Sequence, residues 1–154
     1  MPPTLTFRLL SKCRASTRRG IGFLEGHGEL NAGAIFETFT GTVEREFRSS
    51  MDQWLDGANG PSRRFHNFKS DKDHRNCFVF KHKQHRLYGF LCHPKYWDNS
   101  FQLCSLCIYA TKNEFESDRA ELDRVEQWCH NLGAGGTISR IYIPPQPRGP
   151  TWKN

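Results

Sequence analysis

Residues 77 to 91, Cys-Phe-Val-Phe-Lys-His-Lys-Gln-His-Arg-Leu-Tyr-Gly-Phe-Leu, constrain the fold more than any other stretch of the chain. Successive side chains of a strand point to opposite faces, so strands over 77–83 and 86–91 would set Phe78, Phe80, Leu87 and Leu91 on one buried face. Lys81, Lys83, Arg86 and Tyr88 are then left on the other face, with His85 at the turn and His93 beyond it. Such a face offers positive charge, a ring that can stack and imidazoles that titrate near neutral pH, which are the needs of an RNA-cleaving site. The same pattern also describes the solvated side of an ordinary half-buried hairpin, where a charged outer face is usual.

Charge is segregated along the chain. Of the 154 residues, 1–20 hold Arg8, Lys12, Arg14, Arg18 and Arg19 with no acid, and 61–100 hold nine Lys or Arg against three Asp. That second block contains Arg63, Arg64 and Lys69, which would extend the surface for an RNA backbone, and five of the seven histidines. Residues 21–60 and 101–128 are net acidic. A basic surface on an otherwise balanced domain of net charge +6 favours an anionic partner, most simply nucleic acid. A membrane surface fits less well, because the basic residues do not lie opposite an apolar helical stripe. No apolar run approaches the ~20 residues needed to span a bilayer, and the N-terminus lacks the apolar core of a secretory signal, so the expected location is cytoplasmic.

In that compartment Cys13, Cys77, Cys92, Cys104, Cys107 and Cys129 are expected as reduced thiols. Cys104 and Cys107 have the spacing of a zinc knuckle, with Cys92 and His93 upstream. They also fall inside a strand-like run, 101–110, where positions 104 and 107 face opposite sides, so small buried hydrophobes is the better account and neither metal nor cofactor is expected.

Periodicity orders the remainder. Residues 4–10 read as a short strand and 11–20 as a basic connector. From 34 to 55, Phe36, Phe39, Val43, Phe47, Met51 and Trp54 recur at three- and four-residue steps, one apolar stripe of a long helix that Gly41 could divide and Gly57 could stop. Asp118 with Glu121 marks a helix start, and Leu122, Val125 and Cys129 its buried side, its acids being the wet side. Thr137 to Ile143 could add a last strand, with 144–154 a flexible tail. The expected architecture is α+β, a small mainly antiparallel sheet covered by an N-terminal helix or helices, with a short C-terminal helix. The domain limits are a basic arm at 1–20, a folded domain at 21–133 and an extension at 134–154.

This order, strand, helix, three-stranded meander, helix, resembles the RelE/HigB-like superfamily of bacterial and phage toxins. The resemblance lies in the apolar helix before Arg64-Phe65-His66-Asn67-Phe68, in Phe78-Val-Phe-Lys81 with Arg86-Leu-Tyr-Gly-Phe90, and in Leu106-Cys-Ile-Tyr-Ala-Thr-Lys112 followed by Ala120-Glu121-Leu122. It covers about residues 30–128. The family's usual second lysine after that strand is Asn113 here.

The resemblance implies a metal-independent mRNA interferase acting on message at the ribosome, silenced by a cognate antitoxin, with the oligomeric state left open. A ribose 2′-hydroxyl would attack the neighbouring phosphate, which calls for a base, cations around the phosphorane and an acid for the leaving 5′-oxygen. By position, Lys81 and Arg86 correspond to the family's cationic pair, and Arg86 is the candidate stabiliser because a guanidinium holds two phosphate oxygens at once. His85, His93 and Lys83 are candidates for proton transfer, Tyr88 for stacking and Lys112 for flanking the same face, while His66, His74 and His82 are expected as bystanders. The rivals are a gyrase-inhibiting toxin of the same fold, a non-catalytic RNA-binding module and a small zinc-binding regulator; the hairpin histidines favour cleavage over the first.

Overall fold

The computed structural model describes residues 5–9, 13–14, 17–59, 63–93, 102–113, 115–132 and 152–153. The fold is α+β: three helices and a mostly antiparallel sheet of eight strands among the described residues, two of them only two residues long. In chain order these are β1 Thr6–Leu9, β2 Cys13–Arg14, β3 Arg19–Glu25, α1 Ala32–Thr38, α2 Gly41–Leu55, β4 Phe65–Asn67, β5 Cys77–His82, β6 His85–Cys92, β7 Gln102–Thr111, α3 Arg119–Leu132 and β8 Trp152–Lys153. The sheet runs β4-β5-β6-β7-β3-β2-β8, with β1 also pairing along β3. Only β3 with β7 and β2 with β8 are parallel.

Helices cover both faces, which makes the sheet a middle layer rather than one with a single covered side. Ile21, Phe23, Phe78, Phe80, Leu87, Cys104 and Leu106 pack with Phe36 of α1 and Phe47, Met51, Trp54 and Leu55 of α2. Leu24, Cys77, Val79, Tyr88, Phe90, Leu103, Cys107 and Ile108 pack on the other side with Leu122, Val125, Cys129 and Leu132 of α3. The expected division of the hairpin into a greasy and a cationic face is therefore corrected. β5 and β6 lie inside the sheet and are buried on both faces, Tyr88 among them, and charge survives only where the hairpin leaves the core near its turn.

The long helix is two helices. α1 ends at Thr38, the extended backbone of Phe39 after it swings that ring against Phe47 at 5.3 Å, and α2 starts at Gly41 with φ +60. At the far end Gly57, with φ +113, follows the last turn, as its backbone freedom permits. β3 has no counterpart in the periodicity, because Gly20 and Gly22 dilute its strand signal. Gly22 is required by contact: a Cβ there would meet the Phe7 ring and lie 2.7 Å from the Arg8 carbonyl oxygen of the paired strand. Trp152 and Lys153 form a strand against β2 instead of belonging to a tail, and the strand expected at 137–143 and the loop at 94–100 lie outside the described residues.

A bulge in β7 decides what the far half of that strand presents. Tyr88 pairs with Ile108 but Gly89 with Leu106, which leaves Cys107 as the extra residue. Cys104 and Leu106 face α1 and α2, whereas beyond the bulge Ile108 faces α3, so the even positions have changed sides. Gly89 permits the close approach. A Cβ on it would press on the Ser105 carbonyl oxygen and lie 2.8 Å from Leu106 Cα, both backbone atoms that cannot move aside cheaply. Gly89→Ala is expected to destabilise the chain by about 1–3 kcal/mol, read as a lowered midpoint in thermal unfolding. An unchanged midpoint would mean that the two strands separate there at no cost.

Candidate functional site

Three strand ends meet at one end of the sheet. The two-residue turn Lys83-Gln84 joins β5 to β6, with Lys81 opposite Arg86 and His82 opposite His85. Arg64, just ahead of β4, accepts a hydrogen bond from the Lys81 backbone N–H at 2.7 Å, which brings Arg63 alongside. On the other flank the Lys112 N–H donates to the Gln84 carbonyl at 2.8 Å, continuing the β6–β7 ladder past Thr111. The changed phase of β7 turns Lys112 to the α3 side, the side of Lys81 and Arg86 by strand parity. Arg63, Lys81, Lys83, Arg86 and Lys112, with Gln84 and Asn113, line one open cavity of about 550 Å³.

Five cations around one hollow is an unfavourable arrangement for a protein alone. Like charges directly across an antiparallel pair repel, by up to about 1 kcal/mol, and Lys81 faces Arg86. Lys83 adds backbone strain, holding φ +52 without being glycine. Acids soften part of this. Lys112 Nζ lies 2.7 Å from Glu121 Oε1 with both side chains largely buried, so one of the five charges is already paired. Burial, and after it the Arg86 charge, draws the Lys81 pKa below its ordinary 10.5, with Asp118 opposing. Arg86 Nη1 donates to the carbonyls of Lys83 and His85, which fixes its guanidinium on the turn.

The other residues singled out by sequence are dispersed. His85 belongs to the opposite face, where its ring lies against Phe39 and Phe47 and its Nδ1 is 2.6 Å from the Tyr109 hydroxyl. Its pKa is lowered by burial first and then by His82, Arg86 and Lys83. His93 follows β6 eight positions from His85, about 26 Å away at the usual rise per residue. Tyr88 is fully buried, and its hydroxyl donates to Asp118, with burial first and this bond second raising its pKa. Arg64 reaches Glu46 at 3.1 Å and Ser49 at 3.3 Å on α2, and Lys69 is exposed but does not line the cavity.

Two residues that the sequence does not assign to the site, His66 and Asp118, belong nearby. His66 feels Lys81, Arg86 and Asp118, and burial with the Lys81 charge takes its pKa down to about 4, which keeps it neutral and able to accept a proton bond. Asp118 joins α3 to the site, bonding Tyr88 while countering the charge of Lys81. The thiols are core. Cys104 and Cys107 point to opposite faces, and burial raises the pKa of both. Among the described residues no group of three or more His, Cys, Asp or Glu is placed to hold a metal ion, and no helix is long and apolar enough to cross a membrane.

The acids of α3 are not simply its wet side. His74 is only 3% exposed and lies between two carboxylates, with Nδ1 2.7 Å from Asp71 and Nε2 2.6 Å from Asp123. Glu126 accepts from the Asn76 N–H at 3.0 Å, so the loop before β5 is fastened to α3. Burial works against the imidazolium, but the bonds to Asp123 and Asp71 prevail and the His74 pKa is raised above 6.5, while that of Asp71 falls below 3.8. The histidine's stabilisation is thus complete below 6.5 and lost as pH climbs through its folded value, and the aspartate's is present above 3.8 and lost on acidification. His74→Gln is expected to lower the thermal midpoint most between those limits, with the gap to wild type narrowing above neutrality. A gap that widens with pH would contradict this charge assignment.

No family model matches the chain, and no curated protein or solved structure matches it.

Proposed function

We propose that the basic cavity is an RNA-phosphate site and that the chain is a metal-independent endoribonuclease, a toxin of the RelE/HigB-like kind acting on message at the ribosome. The observation that carries this reading is the convergence of Arg63, Lys81, Lys83, Arg86 and Lys112 on one hollow despite their mutual repulsion, which a bound phosphodiester would relieve. The order of elements supports it too: a strand, two helices, a meander and a last helix, with the strand before the helices pairing in parallel with the last of the meander.

In the proposed reaction the ribose 2′-oxygen attacks the adjacent phosphorus and loses its proton to the Lys81 amine, whose lowered pKa leaves more of it in the basic form. Arg86 and Lys83 take up the charge that grows on the non-bridging oxygens. The bond from phosphorus to the 5′-oxygen breaks, and that oxygen leaves with a proton from an ammonium group of the same hollow. The products are a 2′,3′-cyclic phosphate and a 5′-hydroxyl. Proton transfer in this account rests on Lys81, because His85 and His93 lie elsewhere. An antitoxin that silences the site would supply carboxylates to the same cations.

A second reading, RNA binding without cleavage, is favoured by one observation: no imidazole lines the cavity among the described residues. The ends of RNA treated with the protein distinguish the two. Cyclic phosphate on the upstream fragment is the expected result; bound but intact RNA supports the second reading, and a free 3′-hydroxyl would contradict both.

A further inference from the structure

Phe115 is 94% exposed and is the large hydrophobic side chain that the described fold leaves in water. A lone exposed apolar residue ordinarily calls for no explanation. This one follows a cavity-lining residue closely in sequence. Asn113, which lines the cavity, is two residues away, within about 7 Å along the chain. The turn carrying the ring is tied at both ends, with the Asn113 N–H donating to Glu116 Oε1 at 3.0 Å and the Glu116 N–H to the Asn113 carbonyl at 3.1 Å. Its base is held as well, since Lys112 bonds the hairpin turn through its backbone and Glu121 through its side chain. The residues flanking the ring are therefore tied to one another and to the strand that borders the cavity, and the ring packs in neither described core.

Resting on the phosphate reading of the cavity, we infer that Phe115 is a stacking platform for an unpaired base, so that the site takes single-stranded RNA in preference to duplex. A nucleotide whose phosphate lies in the hollow that Asn113 helps to line would extend its own or the neighbouring base toward this ring, two residues further along the chain. The π-face of any base can stack on a phenyl ring, so the contact selects for unpaired nucleotides without selecting among bases. In duplex RNA the base faces are covered by their neighbours, and the platform finds nothing to stack on. A protein partner could use the same ring, but the adjoining surface is cationic and the aromatic is isolated, a pairing that suits a nucleotide better than an apolar protein patch.

The test uses the full chain and labelled 2′-O-methyl oligouridylate, which cannot be cleaved by 2′-hydroxyl attack, beside an abasic oligomer of equal length and a duplex containing the same strand. Wild type is expected to bind the single strand more tightly than either of the others. Phe115→Ala should lose roughly 5- to 100-fold on the single strand, from the usual worth of a stacked base, and lose nothing on the abasic oligomer. Phe115→Trp should restore the single-strand affinity. Thermal unfolding of both variants should match wild type, since the ring is exposed. Unchanged single-strand affinity in Phe115→Ala would overturn the stacking role while leaving the phosphate site standing, and would free the ring for a protein partner. An equal loss on the abasic oligomer would overturn it as well, by tracing the effect to the cavity. Failure of wild type to bind any of the three would overturn the phosphate reading and the stacking role together.

Discussion

Arg86→Ala is expected to lower RNA cleavage by about 10²- to 10³-fold, the usual loss when one preorganised donor to a developing oxyanion is removed. Arg86 is the cation directly across from Lys81, and its guanidinium is already fixed on the Lys83 and His85 carbonyls, so it meets the phosphorane without reorganising. A second consequence separates a chemical role from a structural one. Arg86 is among the causes of the lowered Lys81 pKa, so its removal should raise that pKa and carry the alkaline rise of the rate to higher pH. Arg86→Lys keeps the charge but not the two-pronged grip; it should leave the pH profile nearly in place and recover only part of the rate. Because the guanidinium also braces the turn, the thermal midpoint must be followed in each variant. Equal loss of rate and of folded protein would reduce Arg86 to a turn brace.

Trp54→Ala is expected to cost about 3–5 kcal/mol, the largest stability loss of any single truncation considered. Trp54 is 1% exposed at the end of α2 and meets Phe78 edge-on with ring centroids 5.7 Å apart. The Arg19 guanidinium lies 4.8 Å from its ring centroid and donates to its carbonyl at 2.6 Å, joining the helix to β3 across the core. Removing the indole would leave a cavity beside Phe78 in the core under α2 and an arginine, already partly desolvated, without its ring. For a chain of this size the loss corresponds to a fall in midpoint of roughly 6–20 °C. A fall of only a degree or two would mean that α2 is held by contacts other than this aromatic group.

What could be read from the sequence follows from which patterns are local. The stripe Phe47, Met51, Trp54 has helical spacing, and the helix it marks is in place. The hairpin strands were equally plain, but alternation does not say whether a strand lies at an edge or inside a sheet, and β5 and β6 lie inside. The cationic patch therefore occupies an end of the sheet and not a face. Strand parity already separates His85 from Arg86, adjacent positions on one strand, and strand length separates His93 from both. The inclusion of Lys112 depends on a bulge opposite Gly89, a feature with no local signature beyond the glycine itself. The bonds of His74 to Asp123 and of Tyr88 to Asp118 join residues 49 and 30 positions apart, and no periodicity connects such pairs. β3 has a weak local pattern because Gly22, which lets β1 lie close against it, is also a residue that dilutes a strand signal.

Primer extension on a defined message incubated with the protein, with and without translating ribosomes and beside Arg86→Ala, tests the central claim most directly. New stops within the message that appear with wild type and vanish with the variant are the expected result, and their confinement to the translated sample would assign the ribosome as the place of action. Intact message in both samples, with folded protein present, would contradict endoribonuclease activity and leave the cationic hollow as a binding site alone.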